Sequence, residues 1–177
     1  MKPIYFSVFI LIMTSVISCD SPDPNLNATG KDELKSLKID RVLDLSKMAH
    51  QDTIYVPIYS DIYVDEQHQK TLLAATLSIR NISYNDSLFI SKIDYFSTEG
   101  VLVRSYIKHT ISLPPMGTVD YVIEKDDDTG GRGANFIVCL NSKEKEIEAL
   151  VQAVMIGRFS NKSFAFSTDG YSIGKGH

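Results

Sequence analysis

The sequence predicts an all-β fold, an immunoglobulin-like β-sandwich of about seven or eight strands, preceded by a signal peptide and a flexible linker. From about residue 53 onward, apolar and polar residues alternate in short segments that are rich in β-branched and aromatic side chains. Turn residues bound these segments, and no long helical pattern separates them, which favours a sandwich over a βαβ architecture. With 177 residues, 44% of them hydrophobic, the chain is expected to bury one core.

The first 18 residues are typical of a signal peptide. Lys2 precedes an apolar run over residues 4–13, and small and polar residues lead to Cys19. The tetrapeptide Val16-Ile17-Ser18-Cys19 resembles the bacterial lipobox, which implies cleavage before Cys19 and acylation of its thiol. We therefore expect a membrane-anchored lipoprotein of the bacterial cell envelope, facing the periplasm or the exterior, held by acyl chains on Cys19. The alternative is an ordinary secreted protein with a coincidental cysteine.

Residues 19–49 are predicted to connect this anchor to the folded domain at 50–177. Prolines, Asp, Asn, Ser and Gly dominate residues 20–32 and give the composition of a solvated tether. Apolar residues at near-helical spacing then predict a short helix within 33–48, with Asp32 available as its cap.

Strand predictions follow the alternation along the chain. The clearest is 72–81, where Leu73, Ala75, Leu77 and Ile79 share one face. Pro57 cannot donate a ladder hydrogen bond, so its strand is expected to lie at an edge or a bulge there. Segment 143–150 is compatible with one helical turn, a loop or a strand lead-in. The predicted strand segments are 52–60, 72–81, 88–97, a hairpin partner within 97–107, 118–124, 135–141, 149–159 and 163–167.

Several of these segments together resemble one known family. YVPIYSDIY, TLSIRN, IDYFSTEGVLVRSY, GGRGANF and EALVQAVMIG are similar to the domain-of-unknown-function family 3124, found in bacterial exported proteins. The resemblance covers roughly residues 50–170. It implies an exported domain but supplies no catalytic or binding residue.

Charge and composition exclude some partners. The net charge is −4, and the basic residues are scattered among acidic ones, so nucleic acid is not an expected partner. The four histidines are dispersed without a metal-ligand spacing, and no cofactor is predicted.

The segment 124–135, EKDDDTGGRGAN, combines acidic residues with three glycines. Asp126 and Asp128 are weak candidates for calcium ligands, because the regular spacing of an EF-hand loop is missing. A solvated acidic turn is the favoured interpretation. The glycines are expected to supply positive φ in an irregular crossover between strands, with Arg132 and Asn135 ordering the loop.

Aromatic residues suggest a binding surface. Tyr55, Tyr59 and Tyr63, together with Arg132 and Asn135, are the candidate residues for binding a protein or a glycan partner. Core and edge packing is the competing explanation for these tyrosines. The functional hypothesis is a noncatalytic binding module on a lipid anchor. The alternative is an envelope enzyme whose site is not recognisable from sequence, since no motif for metal or nucleophilic catalysis is present.

Overall fold

The computed structural model describes residues 37, 43–63, 66 and 70–174. The predicted signal peptide at 1–18, Cys19 and most of the predicted linker lie outside these residues. Within the segment 33–48, Leu37 is helical, but residues 43–48 contain only a 3₁₀ turn, Leu45–Lys47. Asp44 caps this turn by accepting a hydrogen bond from the backbone N–H of Ser46 at 3.2 Å. The helix prediction is therefore wrong for residues 43–48.

The described domain consists of two antiparallel sheets, which confirms the all-β sandwich. Sheet one has the order β11-β1-β8-β4-β5, with β6 also paired to β4. Sheet two has the order β10-β9-β3-β2, with β7 also paired to β3. The strands are β1 His50–Pro57, β2 Asp61–Ile62, β3 Thr71–Asn81, β4 Leu88–Phe96, β5 Leu102–Ser105, β6 Ile111–Leu113, β7 Thr118–Ile123, β8 Asn135–Ser142, β9 Ala149–Phe159, β10 Lys162–Asp169 and β11 Tyr171–Ser172.

The core lies between the sheets, where the alternation predicted it. On β3, Leu73, Ala75, Leu77 and Ile79 are all buried, whereas Arg80 is exposed. Each buried Leu or Ile contributes about 1.5–3 kcal/mol relative to an exposed side chain. Alternate residues of β8 and β9 meet this set from both sheets. Hydrophobic burial on one face of each strand therefore sets the register.

The number of strands agrees with the prediction once length is considered. Eight strands have four or more residues, and the three others, β2, β6 and β11, have two or three. A strand of two residues has no detectable period, so these three strands were not predicted. Residues 143–148 form a loop that leads into β9, which resolves the alternatives left open for this segment.

Pro57 occupies the last position of β1. It pairs with Asn135 of β8 on one side, while β11 pairs only with Ile54 and Tyr55. No described strand pairs with Pro57 on that second side, so its missing N–H interrupts no ladder there. This is the edge-like position expected for proline.

One end of the sandwich is joined by a buried amide, and we call it the Asn81 end. The side-chain nitrogen of Asn81 donates to the carbonyls of Asp86, Leu113 and Pro114 at 2.7, 3.2 and 3.0 Å. Its side-chain oxygen accepts from the backbone N–H of Ser83 at 3.1 Å. One side chain thereby connects β3, the loop 82–87 and the turn between β6 and β7.

Strand β1 runs from this end to the opposite one. His50 at its start pairs with Ser142, the last residue of β8, next to the loop 143–148. After β1, the N–H of Ile58 donates to the carbonyl of Ala134 at 3.0 Å, in the loop that precedes β8. The chain then crosses to sheet two as β2, which contains Asp61. We call this second end the Asp61 end.

Candidate functional site

The Asp61 end is built around the segment 58–62, where the chain passes from sheet one to sheet two. The N–H of Ser60 donates to the carbonyl of Gly131 at 3.3 Å, and the carbonyl of Ser60 accepts from the N–H of Leu73 at 2.9 Å. These bonds fix the segment between β3 and the loop that contains Gly130, Gly131 and Gly133, which we call the glycine loop. Asp61 then pairs with Leu72 in the short β2–β3 ladder. The backbone of Asp61 is therefore held on both sides.

The carboxylate of Asp61 is buried and incompletely paired. Its side chain is 3% exposed. Lys70 Nζ lies 3.2 Å from Oδ2 and forms a hydrogen-bonded ion pair. Arg132 Nε lies 3.8 Å from Oδ1, which is too far for a hydrogen bond, and Oδ1 has no hydrogen-bond partner among the described residues. A buried carboxylate oxygen without a donor is energetically costly, so Oδ1 keeps an unused acceptor beside Arg132.

Tyr63 and Arg132 lie together beside this carboxylate. The guanidinium carbon of Arg132 is 4.6 Å from the centroid of the Tyr63 ring, within the range of a cation–π contact. The ring is 55% exposed and the Arg132 side chain 56% exposed. The structure thus brings together two of the five binding candidates chosen from the sequence. An exposed aromatic ring, a guanidinium group and a buried carboxylate share one site.

The glycine loop forms the wall of the site. Thr98 binds the loop through its backbone N–H and its hydroxyl, which donate to the carbonyl of Gly130 at 2.8 and 3.0 Å. The N–H of Gly133 donates to the same hydroxyl at 2.8 Å. A Cβ at Gly130 would lie 1.8 Å from the hydroxyl oxygen of Tyr95, so close packing requires glycine there. The expected positive φ occurs at Gly131, where φ is 72°.

Tyr95 supports the site from the core. Its hydroxyl lies 3.2 Å from the hydroxyl of Ser60, and its ring packs against Phe136 with centroids 5.3 Å apart. Burial raises the pKa of Tyr95 above its ordinary value, and the hydrogen bond with Ser60 only partly offsets this. The phenol therefore stays neutral at physiological pH and serves as a hydrogen-bonding support.

The other three sequence candidates lie elsewhere. Tyr55 and Asn135 are half-buried on the outer face of sheet one, where Tyr55 pairs with Ile137. Asn135 begins β8, directly after the glycine loop. Tyr59 packs edge-on against Phe166 of β10, with ring centroids 5.9 Å apart. The five candidates therefore do not form one surface.

Asp61, Lys70 and Ser60 were missed by the sequence analysis. Asp61 is one of 22 acidic residues. Its burial depends on the glycine loop, which is more than 60 residues away in sequence. No local pattern distinguishes it, because burial of a single acid at a crossover has no periodic signal.

The acidic part of the loop is solvated except at its middle residue. Asp126 and Asp128, the weak metal candidates, are exposed. Asp127 instead pairs with Arg104, whose Nη2 lies 3.0 Å from Oδ2. The hydrogen bond from Thr129 lowers the pKa of Asp127, and Arg104 acts in the same direction. Within the described part of the chain, no three His, Cys, Asp or Glu side chains converge as metal ligands would.

An apolar groove of about 600 Å³ adjoins the site through Ile62, the residue that follows Asp61. It extends toward the turn between β9 and β10, and its other lining residues are Phe159, Ser160, Asn161, Lys162 and Phe164. In the described residues, no helix has the length and apolar character needed to cross a membrane.

Comparisons with known proteins give a family and one similar structure. The crystal structure of Thermotoga maritima 1070 aligns over 71% of this chain and 97% of its own, at 13% identity and a TM-score of 0.41. No curated protein matches the sequence significantly. The family model described as "Protein of unknown function (DUF3124)" matches residues 51–173, which span nearly all of the strands described above. The chain therefore belongs to the DUF3124 family.

Proposed function

We propose that this chain is a lipid-anchored protein of the bacterial cell envelope whose β-domain is a noncatalytic binding module, and that the Asp61 end binds a glycan. One observation carries the proposal: the buried carboxylate of Asp61, with one oxygen unpaired, lies beside the exposed ring of Tyr63 and the guanidinium of Arg132.

This combination suits the chemistry of a sugar. A sugar ring presents C–H groups on its face, which pack on an aromatic ring such as Tyr63, and hydroxyl groups on its rim. The unpaired Oδ1 of Asp61 accepts a hydrogen bond from a hydroxyl, and charged acceptors make the stronger hydrogen bonds. Arg132, beside both residues, supplies N–H donors. A few polar groups on a partly apolar surface are typical of small-ligand sites.

The direction of the chain supports an outward-facing site. The predicted anchor at Cys19 precedes β1, and β1 begins at the Asn81 end. Eight extended residues span roughly 25 Å, at about 3.3 Å per residue. On this arrangement the Asp61 end lies at the far end of the sandwich from the tether, where an envelope glycan can reach it.

Titration with defined glycans tests the proposal. The probes are purified peptidoglycan and soluble N-acetylglucosamine oligomers, measured by calorimetry. We expect Tyr63→Ala and Asp61→Asn each to weaken binding by about tenfold or more. Tyr84→Ala is the matched control, because Tyr84 is 81% exposed in the loop 82–87 of the opposite end. Equal affinities for the Tyr63 and Tyr84 variants, or no binding of any probe, would overturn the glycan assignment. Cleavage of a probe during the titration would favour the enzyme alternative.

The anchor is tested separately. Intact mass and membrane fractionation of the native protein are compared with those of Cys19→Ala. We expect a mature species that begins at Cys19, carries the added mass of acyl chains and fractionates with membranes, and we expect this species to be lost in the variant. An unlipidated product from both chains would contradict the lipoprotein proposal and leave the glycan site untouched.

A further inference from the structure

Strand β10 forms an uninterrupted edge of sheet two. Of the described strands, only β9 pairs with it, over all eight residues from Lys162 to Asp169 without a register shift. The other sheet borders are short or divided. Strand β11 has only two residues. Strands β5 and β6 both pair with β4, and strands β2 and β7 both pair with β3, so each of these two borders is split between two strands. Long regular edges are templates for pairing, which proteins usually block with proline, bulges or charges. β10 has none of these between its two ends.

The register shows which backbone groups of β10 face outward. Residues 160 and 161 form a two-residue turn, so its flanking pair, Phe159 and Lys162, is a hydrogen-bonded pair. Leu73 of β3 pairs with Gly157 of β9, but its N–H points away from β9 and donates to the carbonyl of Ser60. The two residues are therefore a non-hydrogen-bonded pair, and the backbone N–H and C=O of Gly157 point toward β10. Both observations leave residues 163, 165 and 167 with their N–H and C=O groups on the open side.

The sequence of this edge is a palindrome. Residues 163–167 read Ser-Phe-Ala-Phe-Ser, centred on Ala165. An antiparallel pair of identical strands related by a two-fold axis through Ala165 places Ser163 opposite Ser167 and Phe164 opposite Phe166. The outward-facing residues 163, 165 and 167 then become hydrogen-bonded partners. We propose that two copies of this chain dimerise through their β10 strands in this register.

Side chains complement this arrangement. Phe164 and Phe166 already stack with centroids 6.5 Å apart and remain half-buried, and cross-strand aromatic pairs stabilise antiparallel sheets. In this register Lys162 lies opposite Thr168 of the second copy and Asp169 lies opposite Asn161, so no like charges face each other across the pairing. Ser163, Ala165 and Ser167 are small and exposed, and they offer no steric obstacle. The pairing therefore meets no steric or electrostatic obstacle.

The symmetry closes the assembly. A two-fold axis makes the interface isologous, so each edge is used once and no open filament forms. The two five-stranded sheets become one continuous sheet through about six backbone hydrogen bonds. The apolar groove beside Phe164 receives Phe166 of the second copy at its margin.

Site-directed cross-linking of the full chain in its detergent-extracted form tests the register. In the proposed dimer, Ala165→Cys faces itself across the axis and forms covalent dimer with a short thiol-reactive linker. Ser163→Cys is the matched control, because it lies opposite residue 167 of the second copy. The two introduced cysteines of the dimer are then separated by four residues along the strand, roughly 13 Å. Ser163→Cys mixed with Ser167→Cys restores cross-linking. Equal yields for Ala165→Cys and Ser163→Cys alone would overturn the proposal.

The oligomeric state provides a second measurement. Native mass spectrometry across a concentration series is expected to show a monomer–dimer equilibrium. Ala165→Lys places two lysines opposite each other at the two-fold axis, and their repulsion is expected to raise the dimer dissociation constant by about tenfold or more. Thr118→Lys adds the same charge at an exposed position of β7, on the far border of sheet two, and leaves the equilibrium unchanged. A monomer at every concentration, or equal dissociation constants for the two variants, would overturn the proposal.

Discussion

Asn81 and Asp61 are both buried polar side chains at opposite ends of the same sandwich, and they differ in how completely they are paired. The amide of Asn81 is satisfied by four backbone groups, which join three segments of chain. The carboxylate of Asp61 has one ion pair at hydrogen-bond distance and one oxygen without a donor. Complete pairing makes Asn81 a structural junction, whereas incomplete pairing leaves Asp61 with an unused acceptor oxygen.

The largest expected effect comes from Asn81→Asp. The substitution keeps the shape but replaces the donating nitrogen with an oxygen that faces three carbonyl groups. We expect the free energy of unfolding to fall by about 3 kcal/mol or more, measured by urea titration at neutral pH. Asn85→Asp, in the adjacent loop 82–87 and exposed, should change it by less than about 0.5 kcal/mol. Similar losses in both variants would show that Asn81 is not the junction.

Gly130→Ala is expected to have the next largest effect. The added Cβ would lie 1.8 Å from the Tyr95 hydroxyl and 2.8 Å from the Cβ of Ala134, so the glycine loop must move. Overpacking of this kind costs about 1–3 kcal/mol of unfolding free energy. The control is Gly133→Ala, whose Cβ would approach no atom closer than the Thr98 methyl at 3.3 Å. A loss at Gly133 equal to that at Gly130 would contradict close packing against Tyr95.

Asp61→Asn is the reciprocal of the first substitution, and its effect on stability is expected to be small. Lys70 loses an ion-pair partner but remains about half exposed to solvent. The substitution also removes the negative charge whose second oxygen has no donor, and the amide oxygen still accepts from Lys70. We expect less than about 1 kcal/mol of change in unfolding free energy, by the same urea titration. A loss as large as that of Asn81→Asp would identify Asp61 as a second structural junction.

The smallest effect concerns Asp127, and it depends on pH. Hydrogen bonds from Thr129 and the nearby Arg104 lower the folded pKa of Asp127 below its ordinary value, so the ionised form stabilises the fold above the unfolded pKa. This contribution is lost as pH falls through the folded pKa. Asp127→Asn should therefore lower the urea midpoint at neutral pH, and the gap to the wild type should close under acid conditions. A constant gap at all pH values would contradict the pKa argument. Asp126→Asn, at the exposed neighbour, serves as the control.

The sequence predicted the parts of the fold that depend on local periodicity. The long strands β3, β8 and β9 were found because one face of each is buried, which imposes a two-residue period. Strands β2 and β11 are created by their neighbours and carry no such period. The predicted helix does not extend over residues 43–48, because Asp44 hydrogen-bonds locally to Ser46 and the chain forms only a 3₁₀ turn there.

The candidate site was predicted only in part, for a related reason. Tyr63 and Arg132 were chosen as residue types suited to binding, but nothing in the sequence paired them, since they are 69 residues apart. Tyr55 and Asn135 lie away from Tyr63 and Arg132, because the alternation of side chains along β1 and β8 directs both to the outer face of sheet one. Asp61 needed the fold itself, because only the assembled loop buries its carboxylate.

The pairing of β1 with β11 has a consequence for how the domain is made. Ile54 pairs with Ser172, and the N–H of Thr53 donates to the carbonyl of Gly174, so the first strand finds this partner about 120 residues later in the chain. Sheet one therefore cannot be completed on a ribosome before the last strand has been synthesised. Contacts of such long range are slow to form, so a nascent chain of this kind stays incompletely folded for longer than one built from local hairpins.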